Sequence, residues 1–178
     1  METKDFRKTV LKNGLLLGLL IVTIAVIQYA TGLSTPKSFI INIFVFLLQT
    51  AIVIWFIATL SEHYKRMKAG FLSVSDAIKI GVITTLIAVV VVFVYSAVFY
   101  TMIEPNYREN ALELARESLI EKNPTLTDEQ IEQQLEIIKK FIFPWWVNSF
   151  FTGALGVLGG LIIGAIVGAV KKNEKTNY

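Results

Sequence analysis

Four stretches of the chain, 13–33, 38–60, 80–103 and 145–170, contain no Asp, Glu, Lys, Arg or His. Each exceeds the roughly 20 apolar residues that a helix needs to cross a hydrocarbon core about 30 Å thick. A soluble protein of 178 residues has use for one core helix of that kind, not four. Lipid offers the backbone no hydrogen-bond partners, so such segments must satisfy their own N–H and C=O groups as helices. The composition agrees, with 54% of residues hydrophobic and 17% charged, against about a quarter charged in an ordinary soluble domain. The expected fold is all-α, a bundle of four transmembrane helices at about 13–33, 38–60, 77–103 and 145–170 that forms one membrane domain over residues 1–178.

The net charge of +3 does not point to nucleic acid, because the basic residues sit in short clusters beside the apolar spans and form no basic domain. They read as topology signals and anionic-lipid contacts. Lys4, Arg7, Lys8 and Lys12 precede the first span, Lys65, Arg66 and Lys68 follow the second, and Lys171, Lys172 and Lys175 follow the fourth. Positive flanks favour the cytoplasmic side, so both termini and the connection between spans two and three are expected inside. The connection from Glu104 to Lys140, with nine acidic and five basic residues, is expected outside. Lys139 and Lys140 pull the other way, but three inner clusters outweigh them. The first apolar run is longer than the 7 to 15 residues typical of a signal-peptide core, so it is expected to stay as a span. With no cysteine, disulfides and thiolate chemistry are excluded.

Between spans two and three, Gly70 suits the left-handed end of a helix. Ser73 and Asp76 then have the spacing of a capping box with Asp in the distal position. This turn leaves no room for a cytoplasmic domain. The outer connection is the one long polar segment and reads as an amphipathic helical hairpin over 105–142. Its first helix opens at Pro105, favoured at a first helical position, runs toward Lys122 and breaks at Asn123-Pro124. Its second is capped by Thr127 with Gln130 reaching back. Ile131, Leu135, Ile138 and Ile142 follow on one apolar face. The Trp145-Trp146 pair suits a membrane interface.

Gly156, Gly160, Gly164 and Gly168 recur every four residues along the fourth span, on a face where another backbone can approach. Matching depth across the bilayer sets Gly168 and Gly164 level with Gly14 and Gly18 of the first span, and Gly160 and Gly156 level with Val22 and Ala25. The expected arrangement is antiparallel packing of the first and fourth spans, ahead of a contact between copies of the chain or a pore lining.

Few residues offer chemistry. Glu109, Glu113, Glu117 and Glu121 form an acidic ridge on the first outer helix. Carboxylates in a row can bind a hard cation weakly or dock a basic partner, but a solvated face partly balanced by Arg116 is the plainer expectation. His63 stands alone in a basic cluster and reads as an interfacial side chain. Gln28, Asn42, Gln49 and Asn148 are expected to make hydrogen bonds between helices. Ion-coupled transporters and voltage sensors hold ionisable residues at membrane depth, and the four charge-free stretches, 13–33, 38–60, 80–103 and 145–170, hold no Asp, Glu, Lys, Arg or His. No nucleophile-base grouping, phosphate loop or dinucleotide fingerprint occurs. No residue is therefore assigned a catalytic, cofactor-binding or metal-binding role.

At Gly70-Phe71-Leu72-Ser73, leading into Ala77-Ile78-Lys79-Ile80-Gly81, the chain resembles a family of unknown function made of small four-helix membrane proteins from bacteria, common in Bacteroidetes. The resemblance extends through the basic amino terminus before Gly14, Glu104-Pro105, the acidic outer hairpin and the Lys-rich end. The glycine stripe of the fourth span departs from the family pattern. The resemblance implies a bacterial inner membrane and supplies no activity. The expected function is a non-enzymatic scaffold or accessory subunit in the lipid bilayer, meeting a membrane or periplasmic protein through residues 105–142. Association of copies of the chain is compatible with this. The competing class is a channel or facilitator for a small solute.

Overall fold

The computed structural model describes residues 4–33 and 39–173. The expected start of the second span at Ser38, and the charge of Lys175, lie outside the described residues. Among the described residues six α-helices follow one another: α1 (Lys4–Ala30), α2 (Phe39–Met67), α3 (Val74–Val98), α4 (Tyr107–Lys122), α5 (Asp128–Phe141) and α6 (Trp145–Lys171). A π-helical turn, Phe99–Ile103, extends α3. Among the described residues there is no β-strand, only one isolated bridge between Leu72 and Asn173.

Among the described residues four helices are long and apolar enough to cross a membrane: Lys4–Ala30, Ile40–Met67, Val74–Ile103 and Trp145–Lys171. Between 11% and 28% of each apolar window is buried inside the protein, so most of its hydrophobic surface faces outward. Phe44, Trp55 and Leu155 are all more than 60% exposed. Water would penalise such a surface, and a bilayer does not.

The chain forms two compact units, Met1–Phe93 with Thr152–Tyr178, and Val94–Phe151. In the first unit, α1 begins nine residues before the apolar run because Phe6 and Val10 continue the buried stripe of Gly14, Leu17 and Gly18. Phe6 and Val10 pack with Leu60, Tyr64, Leu72, Ala77 and Ile80 in one core cluster. The Phe6 ring lies 4.8 Å from that of Tyr64. Complete burial of this ring stabilises the fold by about 2 kcal/mol, enough to extend a helix that lipid alone does not require.

The turn between α2 and α3 is closed by its own backbone. The Gly70 N–H donates to the Lys65 carbonyl at 2.9 Å, with Ala69 and Gly70 both left-handed at φ 52° and 87°. The Asp76 N–H donates to Ser73 Oγ at 3.1 Å, and the Ser73 hydroxyl donates to the Asp76 carboxylate at 2.8 Å. Beyond α6, Leu72 and Asn173 each donate a backbone N–H to the other's carbonyl at 3.0 Å, and the Lys65 ammonium donates to the Lys171 carbonyl at 3.0 Å. These bonds tie the end of α6 to the α2–α3 turn.

The second unit is built on α4 and α5, which pack against each other. The expectation that the first outer helix opens at Pro105 is corrected. Glu104 precedes a proline and is pushed out of helical geometry, with φ −129° and ψ 60°. The helix therefore starts two residues later, at Tyr107.

Candidate functional site

Small residues on α3 organise the first unit. A Cβ added to Gly164 would lie 2.7 Å from the Ala77 carbonyl oxygen, and one on Gly168 would lie 2.9 Å from the Val74 α-carbon. One on Gly160 would lie 2.9 Å from the Gly81 carbonyl oxygen. The contacts pair later residues of α6 with earlier residues of α3, so the two helices run antiparallel with their backbones in contact.

The expected pairing of α1 with α6 through their glycines is overturned. Gly14 and Gly18 also meet α3: a Cβ on Gly14 would lie 2.7 Å from Ile87 Cβ, and one on Gly18 would lie 2.7 Å from Val91 Cβ. Depth fixes which residues are level but not which helix is the neighbour. The deciding surface is Ala77, Gly81 and Thr85, small residues every four positions on α3, a signal present in the sequence and absent from the depth argument.

Gly156 also leaves the expected stripe. It is exposed, and its nearest neighbour would be Val89 Cγ2 at an ordinary 3.5 Å. Gly153 is buried in its place, with Val89 Cγ1 only 2.7 Å from an added Cβ. Each residue turns a helix by about 100°, so steps of four drift round the axis. Gly156 stands about 80° from Gly164, whereas Gly153 stands about 20° away. Buried polar side chains in this unit are Ser61, Thr84 and Thr85 among the described residues. The Thr85 hydroxyl donates to the Gly81 carbonyl at 2.9 Å, while the hydroxyls of Ser61 and Thr84 have no hydrogen-bond partner among the described residues.

In the second unit, Ala111, Leu112, Ala115 and Leu119 of α4 are half-buried, as are Leu135 and Ile138 of α5, and Ile131 is buried. Arg116 joins Glu132 across the pair at 3.3 Å. Both side chains are substantially exposed, so the bridge stabilises by under about 1 kcal/mol. The Gln130 N–H donates to Thr127 Oγ1 at 3.3 Å, and the Thr127 N–H donates to the Gln130 side-chain oxygen at 3.0 Å, which caps α5.

The base of the hairpin carries a latch that sequence reading missed. The Tyr107 hydroxyl donates to the Phe143 carbonyl, and the Asn148 amide donates to the same oxygen at 3.4 Å. The Tyr107 ring lies 4.7 Å from Tyr100, which stacks at 6.4 Å on Trp145. Burial is the largest influence on the Tyr107 hydroxyl and raises its pKa; Arg108 acts against this and Tyr100 with it. The contact joins residues 36 apart, and nothing local in the sequence announces it.

Glu109, Glu113, Glu117 and Glu121 are all exposed, and none makes an ion pair or hydrogen bond among the described residues. No group of three or more His, Asp or Glu among the described residues could hold a metal ion. His63 is exposed and stacks at 6.2 Å on Phe6. The expected hydrogen bonds between helices from Gln28, Asn42 and Gln49 are not formed among the described residues. Gln28 and Gln49 are half-buried and Asn42 is exposed, so lateral packing gives them no partner.

All-helical architecture with four long apolar helices and a polar helical pair before the last of them defines a multi-pass membrane protein by length and composition. The model of a protein family of unknown function, DUF4199, matches residues 12–173, and the chain belongs to that family. Comparison with curated proteins and with solved structures gave no match.

Proposed function

We propose that this chain is a non-enzymatic scaffold or accessory subunit of the bacterial inner membrane, with both termini cytoplasmic and the α4–α5 hairpin outside, where it meets a partner rich in basic side chains. The observation that carries this reading is the state of the hairpin. Its own core, the Thr127 cap, the Arg116–Glu132 bridge and the Tyr107 latch hold it together. None of these uses the four-glutamate face. That face extends along three helical steps of four, about 18 Å, and its like charges repel by a few tenths of a kcal/mol per pair. A basic surface laid along it relieves the repulsion and gains electrostatic complementarity.

A pore is less well supported, because backbone contact between α3 and α6 fills the glycine face that would have lined one. Affinity purification from the native membrane tests the reading, comparing the natural chain with one carrying Glu109→Gln, Glu113→Gln, Glu117→Gln and Glu121→Gln. The expected result is a partner that dissociates with rising salt and is lost from the neutralised chain. An identical set of associated proteins from both would overturn it.

A further inference from the structure

At the end of the bundle where α2 and α6 finish, a recess of 330 Å³ is lined by Ala58, Thr59, Glu62, His63, Arg66 and Lys171. Its chemistry comes from two helices. Lys171, in the last turn of α6, extends its ammonium to the Ala58 carbonyl at 3.2 Å and to the Glu62 carboxylate at 3.4 Å. Arg66, one turn beyond Glu62 on α2, places Nε 3.5 Å from the other carboxylate oxygen. Glu62, the one acid in the lining, is thus already shared between two cations. The recess keeps a net charge of +1 with His63 neutral and +2 with His63 protonated.

Spare donors remain. Arg66 meets Glu62 through Nε at 3.5 Å, and its planar fork carries five N–H donors in a geometry that matches phosphate oxygens. Lys171 has three N–H groups and two acceptors. Neither ring nitrogen of His63 has a protein partner among the described residues. The surroundings are two-sided. Trp55, Thr59, Glu62 and Arg66 follow helical spacing along one face of α2. Trp55, at the apolar end, is 63% exposed. A ligand that fits both ends has an anionic head and a hydrocarbon body, and basic pockets between membrane helices hold lipid head groups of that kind.

We propose that this recess binds the phosphate group of an anionic glycerophospholipid, with Arg66, His63 and Lys171 around the phosphate and an acyl chain along the Trp55 face of α2. This inference concerns residues of α2 and α6 and does not rest on the hairpin's partner.

The test is native mass spectrometry of the full chain purified in detergent and offered phosphatidylglycerol or phosphatidylcholine, beside titration of the same sample with inorganic phosphate. The natural chain is expected to retain phosphatidylglycerol in preference to phosphatidylcholine. In the His63→Ala/Arg66→Ala chain retention should fall about fivefold for the lost guanidinium charge, and inorganic phosphate should bind too weakly to saturate. Arg66→Gln is the second variant. Its side chain is 78% exposed, so it leaves the bundle folded while removing the fork, and it should lose most of the same preference. No preference between the two lipids in the natural chain, or a preference in both variants undiminished from that of the natural chain, would overturn the site. Saturable uptake of inorganic phosphate without lipid selectivity would overturn the lipid assignment and place the ligand in the aqueous phase.

Discussion

Gly81 and Gly160 meet backbone to backbone, so that a methyl group on Gly81 would overlap the Gly160 carbonyl oxygen and one on Gly160 would overlap the Thr85 hydroxyl. Neither obstacle is the far end of a flexible side chain. Replacement of Gly81 or Gly160 by Ala is therefore expected to destabilise the bundle by about 1–3 kcal/mol, and by Leu to prevent its assembly. Gly156→Ala, on the exposed side of α6, should stay within about 0.5 kcal/mol of the natural chain. Reversible denaturation in mixed detergent micelles measures all of these. A tolerant Gly160 beside a sensitive Gly156 would contradict the seam.

Thr84 is fully buried and its hydroxyl has no hydrogen-bond partner among the described residues. A buried polar group without a partner costs about 1–3 kcal/mol, so Thr84→Val, which keeps the shape and removes the hydroxyl, should raise the thermal midpoint in detergent. A fall would mean that the hydroxyl holds a bound water or bonds its own helix.

Ala69 has φ 52°, a conformation that costs an L-residue roughly 1–2 kcal/mol. Ala69→Gly removes that cost and adds some chain entropy to the unfolded state, for an expected net gain of about 0.5 kcal/mol. Gly70→Ala, at φ 87°, should lose stability. The pair can be read in one denaturation series, and opposite signs are the expected signature.

Tyr107 donates to Phe143 only while its hydroxyl is protonated. Burial raises its pKa above the ordinary value of 10.0. A folded value above the unfolded one means that the latch contributes fully below about pH 10 and is lost as pH rises through the higher folded value. Protease sensitivity of the hairpin should be flat from neutral pH to about pH 9 and should rise beyond pH 10. Tyr107→Phe should raise it below about pH 10, by the loss of a bond worth about 1 kcal/mol, and should remove the alkaline rise.

Legibility in the sequence followed the range of the signal. Absence of charge marks the spans within about 20 residues. Ser73 with Asp76, and Thr127 with Gln130, are readable because a cap needs only three residues. The start of α1 at Lys4 was missed because Phe6 and Val10 are buried by Leu60, Tyr64 and Leu72, none of them near in sequence. The neighbour of α6 was misassigned because depth constrains height and leaves rotation about the bundle free. The Ala77, Gly81 and Thr85 face supplies that rotation. Tyr107 and Phe143 meet only once both hairpin helices have folded.

The proposed function requires residues 104–140 to lie across the membrane from the termini. The natural chain contains no cysteine, so single substitutions report without background. In intact cells stripped of their outer membrane, a membrane-impermeant maleimide should label Glu117→Cys at once and Lys172→Cys only after lysis. Labelling of Lys172→Cys in intact cells with Glu117→Cys protected would contradict the account.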